Sequence, residues 1–175
     1  MTTPHADNDE VRGYEIRECR PDEWPRLAEN VHAMWRDIGA GPGQITPDWR
    51  DEVLRFLRRA SEDHGFRGCV AVREGRIVGS AGGQRQAGLS PDILEPSYRR
   101  RGYVWGVYVH PDHRGRGLGA ALTRAVVERL RASGCTQVHL HAAPLARPVY
   151  ERLGFAPSNE MRLVFPAAQP APDCA

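Results

Sequence analysis

The sequence predicts a single mixed α/β domain, and three features carry that prediction. Two short apolar runs, 69–72 and 77–81, flank Arg73-Glu74-Gly75-Arg76, and a Glu-Gly centre between such runs suits the tight turn of a β-hairpin. A seven-residue run, 103–109, is rich in aromatic and β-branched residues. It is followed by a glycine turn, an amphipathic stretch and another apolar run, the pattern of a βαβ crossover. The third is size: 175 residues, 41% hydrophobic and 26% charged, suit one domain around one core.

The elements follow in order. Residues 1–13 and 166–175 are expected to be loose ends around a domain at 14–165, the second because Pro and Ala dominate it. Residues 14–19 alternate as a strand does. Asp22 is placed to cap a helix over 23–38 that Gly39 stops. Thr46-Pro47-Asp48 opens a second helix through Arg59, with Pro just inside the Thr cap. The hairpin strands come next. Residues 84–102 form a polar loop holding Arg99-Arg100-Arg101, and a loop of that length is more often functional than filler.

After the strand at 103–109, His110-Pro111-Asp112 turns the chain into a helix over 117–133. Its apolar face is Leu118, Leu122, Ala125, Val126 and Leu130, while Arg124, Glu128 and Arg131 face water. Gly134 ends it. A strand at 137–141, a short helix at 147–153 and a last strand at 161–165 complete the order β-α-α-β-β-β-α-β-α-β. There is no internal repeat.

Composition excludes several functions. The formal net charge is +2, too small a basic surplus for a sequence-independent nucleic-acid binder. Every basic side chain other than histidine is arginine; the absence of lysine removes both the P-loop phosphate site and any Schiff-base chemistry. The start of the chain is polar and acidic, and the longest nonpolar run, 103–109, is far too short to span a bilayer. A cytoplasmic protein without membrane contact is the expectation. Cys19, Cys69, Cys135 and Cys174 lie far apart with no CxxC pair, so neither a zinc knuckle nor a disulfide framework is supported. His110-Pro111-Asp112-His113 has no complementary ligand set at convincing spacing, and no metal is expected.

The most informative stretch is Arg114-Gly115-Arg116-Gly117-Leu118-Gly119-Ala120. It enters an amphipathic helix, where free backbone N–H groups and the helix dipole favour an anion. Glycines let a ligand approach the backbone, and Arg114 and Arg116 add charge, so phosphate is the natural guest. Gly115-x-Gly117-x-x-Ala120 satisfies the dinucleotide fingerprint as a string. Yet residues 110–114 separate it from its strand, and no acid stands in 137–141, about 20 residues on. A tight connection with no ligand is the remaining alternative.

Val107-Tyr108-Val109-His110-Pro111-Asp112-His113-Arg114-Gly115-Arg116-Gly117-Leu118-Gly119 resembles the acetyl-CoA signature of the GNAT N-acetyltransferases, Arg/Gln-x-x-Gly-x-Gly/Ala. Val149-Tyr150-Glu151-Arg152-Leu153-Gly154-Phe155 is similar to that family's Tyr-x-x-x-Gly-Phe element, at the family's usual separation. The likeness is good over 69–165; over 14–59 it rests on element order. It implies the GNAT acyl-CoA N-acyltransferase fold, acetyl-CoA as co-substrate, and an amine attacking the thioester directly in a ternary complex.

On that resemblance the pyrophosphate would lie on the N–H groups from Gly115 to Ala120. Val107, Tyr108 and Val109 would offer backbone to the pantetheine, with an N–H near Val109 supporting the developing oxyanion. Tyr150 would be the general acid for the departing thiolate. Ala143 stands where many members carry an Asn, and 103–109 lacks the Glu that often serves as base. The base is therefore open between His139, His141 and a water chain. The Trp35–Asp37 region and Trp105 fall where the family walls its acceptor pocket, with core packing the commoner role for each tryptophan. A small-molecule amine is the favoured acceptor. A protein N-terminus or lysine, or a CoA-binding module without turnover, are the alternatives. Either a monomer or a homodimer is compatible.

Overall fold

The computed structural model describes residues 11–86 and 93–163. Its elements are β1 (Glu15–Glu18), α1 (Trp24–Asp37), α2 (Trp49–His64), β2 (Arg67–Arg73), β3 (Arg76–Arg85), β4 (Arg101–Val109), α3 (Leu118–Ala132), β5 (Gln137–His139) and α4 (Arg147–Arg152). The strands form one sheet in the order β1-β2-β3-β4-β5. The first four are antiparallel neighbours, and β5 runs parallel to β4 across the α3 crossover.

Alternation along the strands sorts side chains onto two faces. Cys69, Ala71, Ala81 and Val104 pack with Leu118, Leu122, Val126 and Leu130 of α3. Val70, Val72 and Trp105 meet Leu27 of α1 and Leu57 of α2 on the other face. The domain is therefore three layers, helix–sheet–helices, with the α3 stripe placed as its periodicity predicts. Cys19, Cys69 and Cys135 are buried free thiols. Among the described residues, no helix is long and apolar enough to cross a membrane.

Several boundaries differ from the sequence expectation. Asp22 does not cap a helix: Pro21–Glu23 is a 3-10 turn, and the Glu23 carboxylate accepts from the Arg20 N–H at 2.9 Å. α1 starts one residue later, with Pro25 in its first turn, where a missing N–H does no harm. α2 runs a further turn, to His64, and ends at left-handed Gly65. β5 stops at His139, short of the expected His141. Met161, Arg162 and Leu163 are exposed and outside any strand, so the last expected strand is not formed over them. Residues 164–165, and the expected loose ends at 1–10 and 166–175, lie outside the described residues.

Candidate active site

A 3-10 turn, Pro111–His113, carries the chain from the end of β4 into the glycine stretch. Gly115 and Gly117 sit at φ 72° and 82°, in the left-handed region that L side chains avoid, and Gly117 is the N-cap of α3. Gly119 is different. It is helical, and a Cβ built on it meets nothing within 4 Å, so neither conformation nor packing calls for glycine there. A Cβ on Gly115 or Gly117 would likewise enter open space. The surface of this turn is thus bare backbone.

That backbone has donors to spare. The first N–H after Arg114 to reach a carbonyl is that of Ala121, on Gly117 O at 3.0 Å. Those from Gly115 to Ala120 bond to no group among the described residues. Leu118, 1% exposed, roots the helix start in the core and so fixes where these donors point. Arg116 is exposed and makes no ion pair among the described residues. Arg114 is committed differently. Its Nε donates to Val109 O at 2.9 Å, its Nη2 donates to the Asp37 carboxylate, and its guanidinium lies 5.7 Å from the Tyr108 ring centre. It ties the turn to the end of α1.

β4 is split away from its parallel neighbour. Pairing with β5 covers only Arg101↔Gln137, Gly102↔Val138 and Tyr103↔His139, while β4 continues to Val109. Among the described residues its edge from Val104 onward has no strand beside it. On the other edge Gly106 and Val107 together face Ala81, because Trp105 pairs with Gly82 and Tyr108 with Ser80. Gly106 takes φ 62° to make this bulge. The bulge reverses which face the following side chains take: Val107 and Val109 pack toward the α3 core, and Tyr108 turns to Arg114.

Beyond the split lies an open cleft of about 1360 Å³ lined by Tyr103, His139, His141 and Tyr150, among others. It does not extend to the glycine turn. Tyr150, on α4, is buried against Phe155, with ring centres 6.0 Å apart. Burial raises its phenol pKa, so the proton-bearing form persists to higher pH, as a general acid requires. Among the described residues its hydroxyl makes no hydrogen bond. The Tyr103 hydroxyl meets His141 Nδ1, and His141 Nε2 stands 3.1 Å from Glu160 Oε1.

Residues 16–155 match the model of the Acetyltransferase (GNAT) family. This chain belongs to the GNAT family. A glucosamine 6-phosphate N-acetyltransferase of Trypanosoma brucei brucei is 39% identical over 94 residues, 51% of this chain and 58% of that protein. An acetyltransferase of Pectobacterium atrosepticum is 30% identical over 126 residues, 72% of this chain and 74% of its own length. In three dimensions the GNAT domain superposes on a GCN5-related N-acetyltransferase from Ralstonia eutropha JMP134 with a TM-score of 0.72. That match has 26% identity and covers 87% of this chain and 99% of that one.

Within this GNAT domain the residues singled out from sequence fall in two groups. Gly115 to Ala120 and the β4 segment Val107–Val109 stand together, joined through the turn and Arg114. Tyr150 stands with His139 and His141 around the cleft. Trp105 packs between Phe56 and Phe66, at 5.1 and 5.6 Å, as core packing requires, although its Nε1 is buried without a partner. Trp35 is not core: it is 52% exposed at the end of α1. His113 accepts or donates through Nδ1 to Tyr14 Oη at 2.9 Å, a structural tie to the start of the sheet. Sequence reasoning missed Tyr103 and Glu160. The first could have been found from the strand register that sets it opposite His139; no sequence signal marks Glu160.

Proposed function

We propose that this GNAT chain transfers an acetyl group from acetyl-CoA to the primary amine of a small molecule within a ternary complex. The observation that carries the reading is the unbonded run of N–H groups from Gly115 to Ala120, above a helical Gly119 that nothing inside the protein requires. Any helix start leaves about four N–H groups unpaired; here the two left-handed glycines carry the run back through Arg116 to Gly115 with no side chain capping it, a concave anion-binding surface at the positive end of a helix. That surface suits a pyrophosphate, and Arg116 adds a cation beside it. The likeness to a glucosamine 6-phosphate N-acetyltransferase favours a small amine acceptor.

When bound, acetyl-CoA supplies a thioester carbonyl activated toward amines. The chain's own residues do the rest. The open edge of β4 from Val104 offers backbone partners to an extended ligand arm, as an added strand would. An N–H near Val109, held in place by the strand, is suited to negative charge building on a carbonyl oxygen. Tyr150, protonated through burial, can give its proton to a leaving thiolate and regain one from solvent.

Calorimetry with acetyl-CoA tests the binding half, and thiol release with glucosamine 6-phosphate and with an aminoglycoside tests transfer. Tyr150→Phe should bind acetyl-CoA as wild type does and turn over about 100-fold more slowly, the usual size of a lost proton-transfer group. No binding by wild type would overturn the reading. Binding without turnover of any amine by either protein would make the chain a CoA-binding module.

A further inference from the structure

The unassigned step is removal of the acceptor's proton. Between Arg101 and Val109, β4 carries no carboxylate to take it. What β4 does carry is Tyr103, the last residue paired with β5 before the two strands part, and it lines the same cleft as Tyr150. Its hydroxyl meets His141, which in turn meets Glu160, contacts spanning 38 and 19 residues of sequence.

One assignment of protons gives every group in this chain a partner. An ionised carboxylate only accepts, so His141 Nε2–H donates to Glu160 Oε1 at 3.1 Å. In a neutral imidazole Nδ1 is then an acceptor, and the Tyr103 hydroxyl donates to it. Burial, reinforced by the Glu160 carboxylate, raises the Tyr103 phenol and keeps it neutral. The carboxylate–imidazole–hydroxyl order is that of a group prepared to accept a proton at the hydroxyl and pass it outward.

We infer that Tyr103, His141 and Glu160 form the relay that deprotonates the acceptor amine, with Tyr103 the group that touches it. The inference rests on the acetyltransferase reading above. In the step, the amine nitrogen forms the new C–N bond and the C–S bond breaks. The amine's proton passes to the Tyr103 oxygen as the Tyr103 proton moves to His141 Nδ1. The departing sulfur takes its proton from Tyr150, and solvent restores both ends. The outer end suits this: the His141 and Glu160 side chains are 69% and 67% exposed, so a proton collected at the half-buried Tyr103 can leave to water.

Other charged groups share the cleft and bear on any pH dependence. His139 stands on β5 and Arg101 on β4, while Arg147 and Glu151 of α4 are paired with each other at 2.9 Å. His64, Arg85, Arg99 and Arg131 line it too, so arginines outnumber carboxylates around the imidazole.

Two measurements test the relay. The first needs no acceptor: nitrogen NMR of protein labelled in its histidine rings, with His141→Gln to assign the signal. The proton should be on Nε2 with Nδ1 bare, and Tyr103→Phe should move the Nδ1 signal and leave other histidines unchanged. A proton on Nδ1, or no response to Tyr103→Phe, overturns the relay whatever the acceptor is. The second is thiol release with glucosamine 6-phosphate and an aminoglycoside. Tyr103→Phe and His141→Gln should each lower kcat about 100-fold with little change in KM. The double variant should be little worse than either alone, since the groups act as a unit. Glu160→Gln, which only orients the ring, should lose about tenfold. Variant rates should climb with pH toward the amine's own ionisation, a displacement that mere misfolding would not produce. Wild-type rates and an unchanged profile in Tyr103→Phe or His141→Gln would refute the relay. Absence of turnover by wild type would instead fall on the acetyltransferase reading, with the NMR result still deciding the relay's proton positions.

Discussion

Replacing Gly117 by Glu separates what the glycine turn does for folding from what it does for binding. The residue sits at φ 82° and a Cβ there meets nothing within 4 Å. No clash follows, and the stability loss is the backbone strain of an L residue in the left-handed region, about 1–2 kcal/mol. In a chain of this size that lowers Tm by roughly 2–8 °C. The binding loss has another origin. A carboxylate beside the bare donors at the start of α3 would stand a few ångströms from a pyrophosphate. Like charges at about 4 Å repel by about 4 kcal/mol at an effective dielectric of 20, and solvent screening roughly halves that at an exposed turn. Acetyl-CoA affinity should therefore fall about 30-fold or more. Gly117→Ala is the control, with the same strain and no charge, so it should match the Tm shift and lose far less affinity. Calorimetry and a thermal melt on the three proteins decide it. Affinity within threefold of wild type in Gly117→Glu would refute the placement of an anion on this turn.

Other expectations follow from packing and charge. Leu122 is 0% exposed in the α3 stripe, so Leu122→Ala should cost about 2–5 kcal/mol in urea unfolding. Asn30 Nδ2 donates to Ser80 Oγ at 3.0 Å with both residues buried, joining α1 to β3 beside the β4 bulge. Asn30→Ala should lose about 1–3 kcal/mol by stranding a polar group, while Asn30→Ala with Ser80→Ala should recover part of it. The Glu23 carboxyl is held down to about 2, first by its hydrogen bond from Arg17 and then by the Arg20 N–H. A folded value below the unfolded one stabilises above pH about 4.5 and is lost as pH falls toward 2. Glu23→Gln should therefore flatten acid unfolding in that window, by on the order of 1–2 kcal/mol.

Much of this architecture was legible in the chain. The Glu-Gly hairpin is there, with Glu74 at φ 51° and Gly75 at φ 75°, because glycine suits such a left-handed turn and the apolar runs on either side are both buried strands. The α3 stripe was legible because a helix packed on a sheet must repeat its apolar residues at the helical period. No cap forms at Asp22 because neither donor it could satisfy is free: the Trp24 N–H goes to Pro21 O in the 3-10 turn and Pro25 has none, while Glu23, held by Arg17, takes the Arg20 N–H.

The sequence by itself determined the class of this protein: its glycine turn, its order of elements and its Tyr150 element all depend on short-range patterns that backbone geometry imposes. Tertiary structure alone decided how the candidate site is assembled. The parting of β4 from β5 after Tyr103, the capture of Arg114 by Asp37 and the line from Tyr103 through His141 to Glu160 join residues far apart in the chain. Such contacts arise from how strands twist and helices pack across the whole domain, and no local pattern of residues encodes them.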